Sequence, residues 1–188
     1  MDRVLVERAM AGDRGAFNEL AAVSVGRLYG LAVLILRDPD RASDATQEAL
    51  IAAWRDLSAL RDPERFEAWV HRVLVRACHE EARRDRRRRK VEIHEIPLER
   101  FETRVAADEL PAFIDRDQLE RGFRRLSVEE RAIVVLHHIE GFPLAAIADV
   151  LAIPIGTVKS RLHRSLQTMR AALDADARVV TMERERIA

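Results

Sequence analysis

Residues 83–90 read RRDRRRRK, seven positive charges against one negative. No small domain can bury such a block without partners, so it must lie at a surface or an edge. The sign then reverses: residues 91–120 hold nine acids and three arginines. Apolar residues at helical spacing lie before and after this interval, but within 91–115 they show little periodicity and are broken by Pro97 and Pro111. The chain is therefore expected to fold as two small domains joined by an acidic linker. A formal net charge of zero averages these blocks away.

Both halves read as helical. Only 5% of the residues are aromatic, few β-branched residues alternate with polar ones, and glycine and proline are few. The expected fold class is all-α. In the first domain, 1–90, apolar residues recur at Phe17, Leu20, Leu28, Leu31 and Ile35. A turn at RDPD (37–40) follows, because Pro39 disfavours helix at the residue before it. A second helix, about 40–57, sets Ala45, Ala49, Ala52 and Ala53 near Leu50 and Trp54; a third begins with Asp62 as N-cap and Pro63 at the first helical position. Trp54 and Trp69 are expected in the core.

The second domain, 116–173, opens a helix with a capping box, Ser127 and Glu130, and closes it near Gly141. Pro143 starts a short helix, and after AIP (152–154) comes the last one. Residues 174–188 are expected to be a frayed tail.

Several function classes drop out. Cys78 is the sole cysteine, so no internal disulfide forms, and no Cys/His set has zinc-ligand spacing. The thiol is read as packing. HEEAR (79–83) and HEIPL (94–98) lack the second histidine of a zinc-protease helix, and His137, His138 and Glu140 are read as surface residues. No Gly-rich phosphate loop or nucleophile elbow is present, so no enzyme, cofactor or metal is expected. The first residues lack an apolar signal core, and the run Leu28–Leu36 is about half the ~20 residues a membrane span needs. A soluble cytoplasmic protein is expected.

One window points to a function. From Val150 to Leu173 there is no acidic residue, and one of the chain's two lysines, Lys159, lies in it. On a helix, Val158, Leu162, Leu166, Met169 and Leu173 form one apolar stripe. Thr157, Ser160 and Arg164 lie opposite, flanked by Lys159, Arg161 and His163. A short helix, a tight turn and a cationic second helix make a helix-turn-helix. Carboxylates are missing where phosphates would approach.

These residues also carry a resemblance. GTVKSRLHR, preceded by IADVLAIP and LSVEERAIVVLHHIEGF, resembles region four of bacterial sigma factors of the extracytoplasmic-function (ECF) group. DATQEALIAAWRDL and RFEAWVHRVLVRACHEEARR resemble the family's region two, and the matches together cover about 150 of 188 residues.

The resemblance implies a sigma factor that binds core RNA polymerase, through the clamp of its largest subunit and the flap of the second largest. It would read promoter DNA as duplex and as single strand. Thr157, Lys159, Ser160, Arg161, His163 and Arg164 would meet the −35 element, with Ser160, Arg161 and Arg164 nearest base edges. Arg61, Arg72, Arg76, Arg83 and Arg84 would line the path of the melted −10 strand, and Asp44, Gln47 and Glu48 would bind polymerase. The block Arg83–Lys90 would touch phosphates, and the acidic linker would act as a nucleic-acid mimic or as a solvated spacer. An anti-sigma partner is implied, and insertion in a membrane is not. Arg76, Glu80 and Ala152 stand where the family commonly has Asn, Asp and Gly, so the −10 preference does not carry over. The alternative reading is a helix-turn-helix regulator that never acts as a sigma subunit.

Overall fold

The structure, a computed structural model, describes residues 2–91 and 116–187. All regular elements among them are helical. The chain divides into two compact units, Met1–Ala106 with Asp149–Ala152, and Ala107–Ala148 with Ile153–Ala188. The acidic stretch 92–115 lies outside the described residues.

Short polar signals set the helix boundaries of the first unit. Asp2 caps α1 (Arg3–Met10) and Asp13 caps α2 (Arg14–Leu36), each carboxylate accepting a backbone N–H of the first turn. The charged first residues gave no expectation of α1, yet Val6 and Ala9, three apart, are both buried. Asp38 is extended (φ −150°, ψ 112°), as the residue before proline prefers, and caps α3 (Pro39–Asp56). The expected cap at Asp62 is present, its carboxylate accepting from Glu64 N–H. It opens a single 3-10 turn, Pro63–Arg65, before α4 (Phe66–Val91).

Helix α2 packs on α1, α3 and α4, and α3 packs on α4. Ala42, Ala45, Ala49 and Ala53 are fully buried along one face of α3 and let neighbouring backbones approach. Leu20, Leu28, Ile35, Leu57 and Leu74 fill the core; burying each contributes roughly 1.5–3 kcal/mol. By length and hydropathy α2 could cross a membrane, and 39% of its apolar window is buried against neighbouring helices. Cys78 belongs to this core as expected, and burial pushes its thiol up to about 12. At neutral pH it is an inert packing group. Arg41 ties the start of α3 to α4, 2.9 Å from Asp38 and 2.8 Å from Asp85.

The second unit contains α5 (Arg116–Arg124), α6 (Val128–His138), α7 (Leu144–Leu151) up to Ala148, and α8 (Ile155–Ile187). Both halves of the capping box form: Ser127 Oγ accepts from Glu130 N–H at 3.2 Å, and Glu130 Oε2 from Ser127 N–H at 2.9 Å. Helix α6 ends at His138 with Ile139 as its C-cap, so Gly141 lies one residue beyond the expected position; its φ of 68° turns the chain back. Helix α8 packs on α5 and α6. A Cβ at Gly122 of α5 would lie 3.0 Å from Met169 Cε, so glycine lets α8 approach without displacing that side chain. The expected frayed tail is instead the continuation of α8 to Ile187. Nothing from Asp174 on provides the proline or glycine that would stop a helix.

Candidate nucleic-acid interface

Helix α8 begins after a turn in which Ala152 takes φ 53°, the left-handed conformation that glycine normally supplies, and Ile153 N–H reaches back to Ala148 O at 3.1 Å. Pro154 O accepts from Thr157 and Val158 N–H, closing the first turn. The apolar stripe is as expected at Val158 and Leu162, which are buried, and at Leu166, Met169 and Leu173, which are half-buried. The stripe missed Ser165, which is fully buried; its hydroxyl donates to Arg161 O at 2.8 Å and so satisfies its own polarity.

The other face carries the candidate DNA residues. Lys159, Ser160, His163 and Arg164 are exposed, and Thr157 and Arg161 are half-buried at its edges. Ser160 Oγ donates to Thr157 O at 3.1 Å, leaving its lone pairs as acceptors. A Cβ on Gly156 would meet nothing within 4 Å, so the helix start is open to a ligand's close approach. The result is an exposed cationic helix face, free of acid, set off by a tight turn.

In the first unit Arg61, Arg72, Arg76, Arg83 and Arg84 are all exposed. Arg72, Arg76 and Arg83 fall within about 40° of one another around α4, and Arg87 extends the row. Glu80, 3.3 Å from Arg76, interrupts it with one negative charge. Arg61 lies between two 3-10 turns, Leu57–Ala59 and Pro63–Arg65. Arg84 stands apart, about 100° round the helix from Arg83, and faces Glu81 and Glu48.

On α3, Asp44, Gln47 and Glu48 share an exposed face. Two apolar residues that the sequence reading did not assign there extend it: Ile51, 57% exposed, and Trp54, 38% exposed. Trp54 is therefore not the core residue expected. One side of its ring rests on Phe17, with centroids 5.0 Å apart, while the rest borders a shallow cleft with Arg14 and Asn18. For Ile51 the available signal was helical spacing, since 44, 48 and 51 fall on one face and the buried alanines on another; Trp54 lies about 80° from Asp44. Trp69 is half-buried against Phe66.

The histidines of the second unit build no metal site. His137 and His138 stack edge-on with centroids 4.8 Å apart, and His137 Nδ1 is 3.0 Å from Phe142 O. Burial, then the neighbouring His137, holds His138 below the usual histidine value. No cluster among the described residues could hold a metal ion.

The chain matches two family models in the expected order: Sigma-70 region 2 over residues 23–88, and Sigma-70, region 4 over residues 116–169. It is 35% identical to the ECF RNA polymerase sigma factor SigM of Mycobacterium tuberculosis, over 87% of this chain and 80% of that protein. It is 30% identical to the RNA polymerase sigma-H factor of Pseudomonas aeruginosa, over 92% of this chain and 93% of that one. The solved structure of CnrH in complex with the cytosolic domain of CnrY superposes with a TM-score of 0.65 at 26% identity, covering 93% of this chain and 98% of CnrH. The fold also matches RpoE of Bartonella quintana, solved with the anti-sigma factor NepR, at TM-score 0.65 and 20% identity over 85% of this chain and 98% of that one. Sigma factors are not enzymes; they bind core RNA polymerase and promoter DNA. The chain belongs to the ECF group of the sigma-70 family and directs promoter-specific transcription initiation.

Proposed function

We propose that the two units divide promoter recognition between them. Residues 1–90 act as region two, 91–115 as the linker, 116–173 as region four and 174–188 as a tail. In region four, Ser160, Arg161 and Arg164 meet base edges of the −35 element, and Thr157, Lys159 and His163 hold the phosphates and the helix start. The observation that carries this reading is the exposed, acid-free cationic face of α8 behind its tight turn. In region two, the row Arg72, Arg76 and Arg83 with Arg61 guides the melted −10 strand. Asp44, Gln47 and Glu48, extended by Ile51 and Trp54, dock on the clamp of the largest polymerase subunit; region four meets the flap of the second largest. An apolar centre ringed by polar side chains suits such an interface. The site of action is the cytoplasm, and an anti-sigma factor restrains the chain there by covering these surfaces, as CnrY and NepR bind the related proteins.

Run-off transcription with purified core polymerase on a promoter library tests the assignment. Arg164→Ala is expected to weaken promoter binding by about 1–3 kcal/mol and to relax preference at one −35 position. A uniform loss over all promoters would make Arg164 a phosphate contact instead.

A further inference from the structure

Arg84 follows Arg83 directly, yet helical geometry turns it about 100° away from the Arg72–Arg76–Arg83 row. Its Nη1 is 3.4 Å from Glu81 Oε2 on the same helix and 3.8 Å from Glu48 Oε1 on α3. The three side chains differ sharply in exposure: Glu81 4%, Arg84 48% and Glu48 58%. A carboxylate as deep as Glu81 needs a cation or a hydrogen-bond donor beside it, and the guanidinium one turn on supplies both. That tether holds Arg84 on the α3 side of its helix. A planar guanidinium with several donors can then meet a second carboxylate, and Glu48 is the one it meets.

We propose that Arg84 is a positioning residue of the polymerase-docking face, orienting Glu48 toward a cationic element of core polymerase, and is not a promoter contact. The proposal rests on reading α3 as the docking face. An ion pair this exposed adds little to folding stability. Its effect lies in binding: a glutamate already held in one orientation loses less freedom when the partner arrives. Only one Glu48 oxygen approaches Arg84 closely, so the carboxylate keeps acceptor capacity for the partner. Polymerase contact at Glu48 and strand contact along Arg72–Arg83 then use different sides of one helix pair.

The test measures two quantities on the full chain: affinity for core polymerase, and the slope of log promoter affinity against log salt for the holoenzyme. Arg84→Ala is expected to weaken core binding by about two- to tenfold and to leave the salt slope unchanged. Arg83→Ala is expected to make the slope shallower by roughly 0.7–0.9. In a Glu48→Gln background the Arg84→Ala loss disappears, because the pair is already broken. Glu81→Gln weakens core binding in the same direction by releasing the tether. If Arg84→Ala does not fold, Arg84→Gln carries the same comparison, with a thermal melt as the check. Unchanged or tighter core binding, an equal loss in both Glu48 backgrounds, or a shallower salt slope for Arg84→Ala would overturn the proposal. Asp44→Ala separates the two levels. If it leaves core affinity unchanged, the docking face itself is wrong; if it weakens core binding while Arg84→Ala does not, only the role of Arg84 falls.

Discussion

Ala152 shows how a single residue can depart from its family and keep the fold. Its φ of 53° places an L side chain where glycine is commonly found, at a cost of about 1–2 kcal/mol. Ala152→Gly removes that strain, but glycine loses about 0.5–1 kcal/mol through its freer unfolded state. The expected outcome is a net gain of up to about 1 kcal/mol in urea unfolding. A loss would mean that the turn depends on the alanine methyl. The departure was legible in the sequence; the torsion angle was not. Trp54 and Ser165 show the limit of reading residues by type. An aromatic reads as core and a serine as surface, yet Trp54 is 38% exposed and Ser165 is fully buried. Each is decided by which helix lies across from it, and only the fold supplies that.

At the scale of elements, short-range chemistry was the most readable part. The Ser127–Glu130 box, the proline at the start of α3 and the cap at Asp62 act over three residues, and all three are present. Ser127→Ala removes the hydroxyl that accepts from Glu130 N–H and leaves the reciprocal bond from the backbone N–H of residue 127 to Glu130 in place. It is expected to destabilise the second unit by about 1 kcal/mol in urea unfolding. The loss should be felt well beyond one turn, because α6 carries the fully buried Ala132, Ile133, Val135 and Leu136. Element limits were less readable. Helix α1 hides its two buried residues among charges, and α8 runs past the point where its apolar stripe ends. Long-range contacts, or the lack of a breaker, set such limits, and hydrophobic periodicity registers neither.

At the scale of the molecule, the two units are expected to respond differently to pH. In the second, His138 is held below its ordinary value by burial and by His137. Its unfolded form then binds protons more readily, so stability is fully present above about 6.5 and falls as pH drops through the lowered value. In the first, Asp13 lies below its ordinary 3.8 because it accepts from Ala16 N–H and from Arg8. That contribution is present above 3.8 and is lost only in more acidic solution. Calorimetry between pH 7.5 and 5.5 should lower the melting of the second unit. His138→Gln should reduce that shift; a shift unchanged in the variant would show that the histidine is not its source.

What the sequence determined by itself was whatever depends on neighbours along the chain. Charge blocks of opposite sign separated two helical regions, local caps started helices, and a 24-residue window without acid marked the helix proposed to face DNA. Other features depend on helices meeting across space, and these the fold alone settled. It set Arg84 of α4 beside Glu48 of α3, whereas the row of Arg72, Arg76 and Arg83 follows from helical spacing alone. It also left Trp54 partly exposed beside Asp44, Gln47 and Glu48. The physical reason is reach. A cap or a charge run acts within a few residues of chain, whereas the role of an exposed arginine is set by the carboxylate that packing brings beside it.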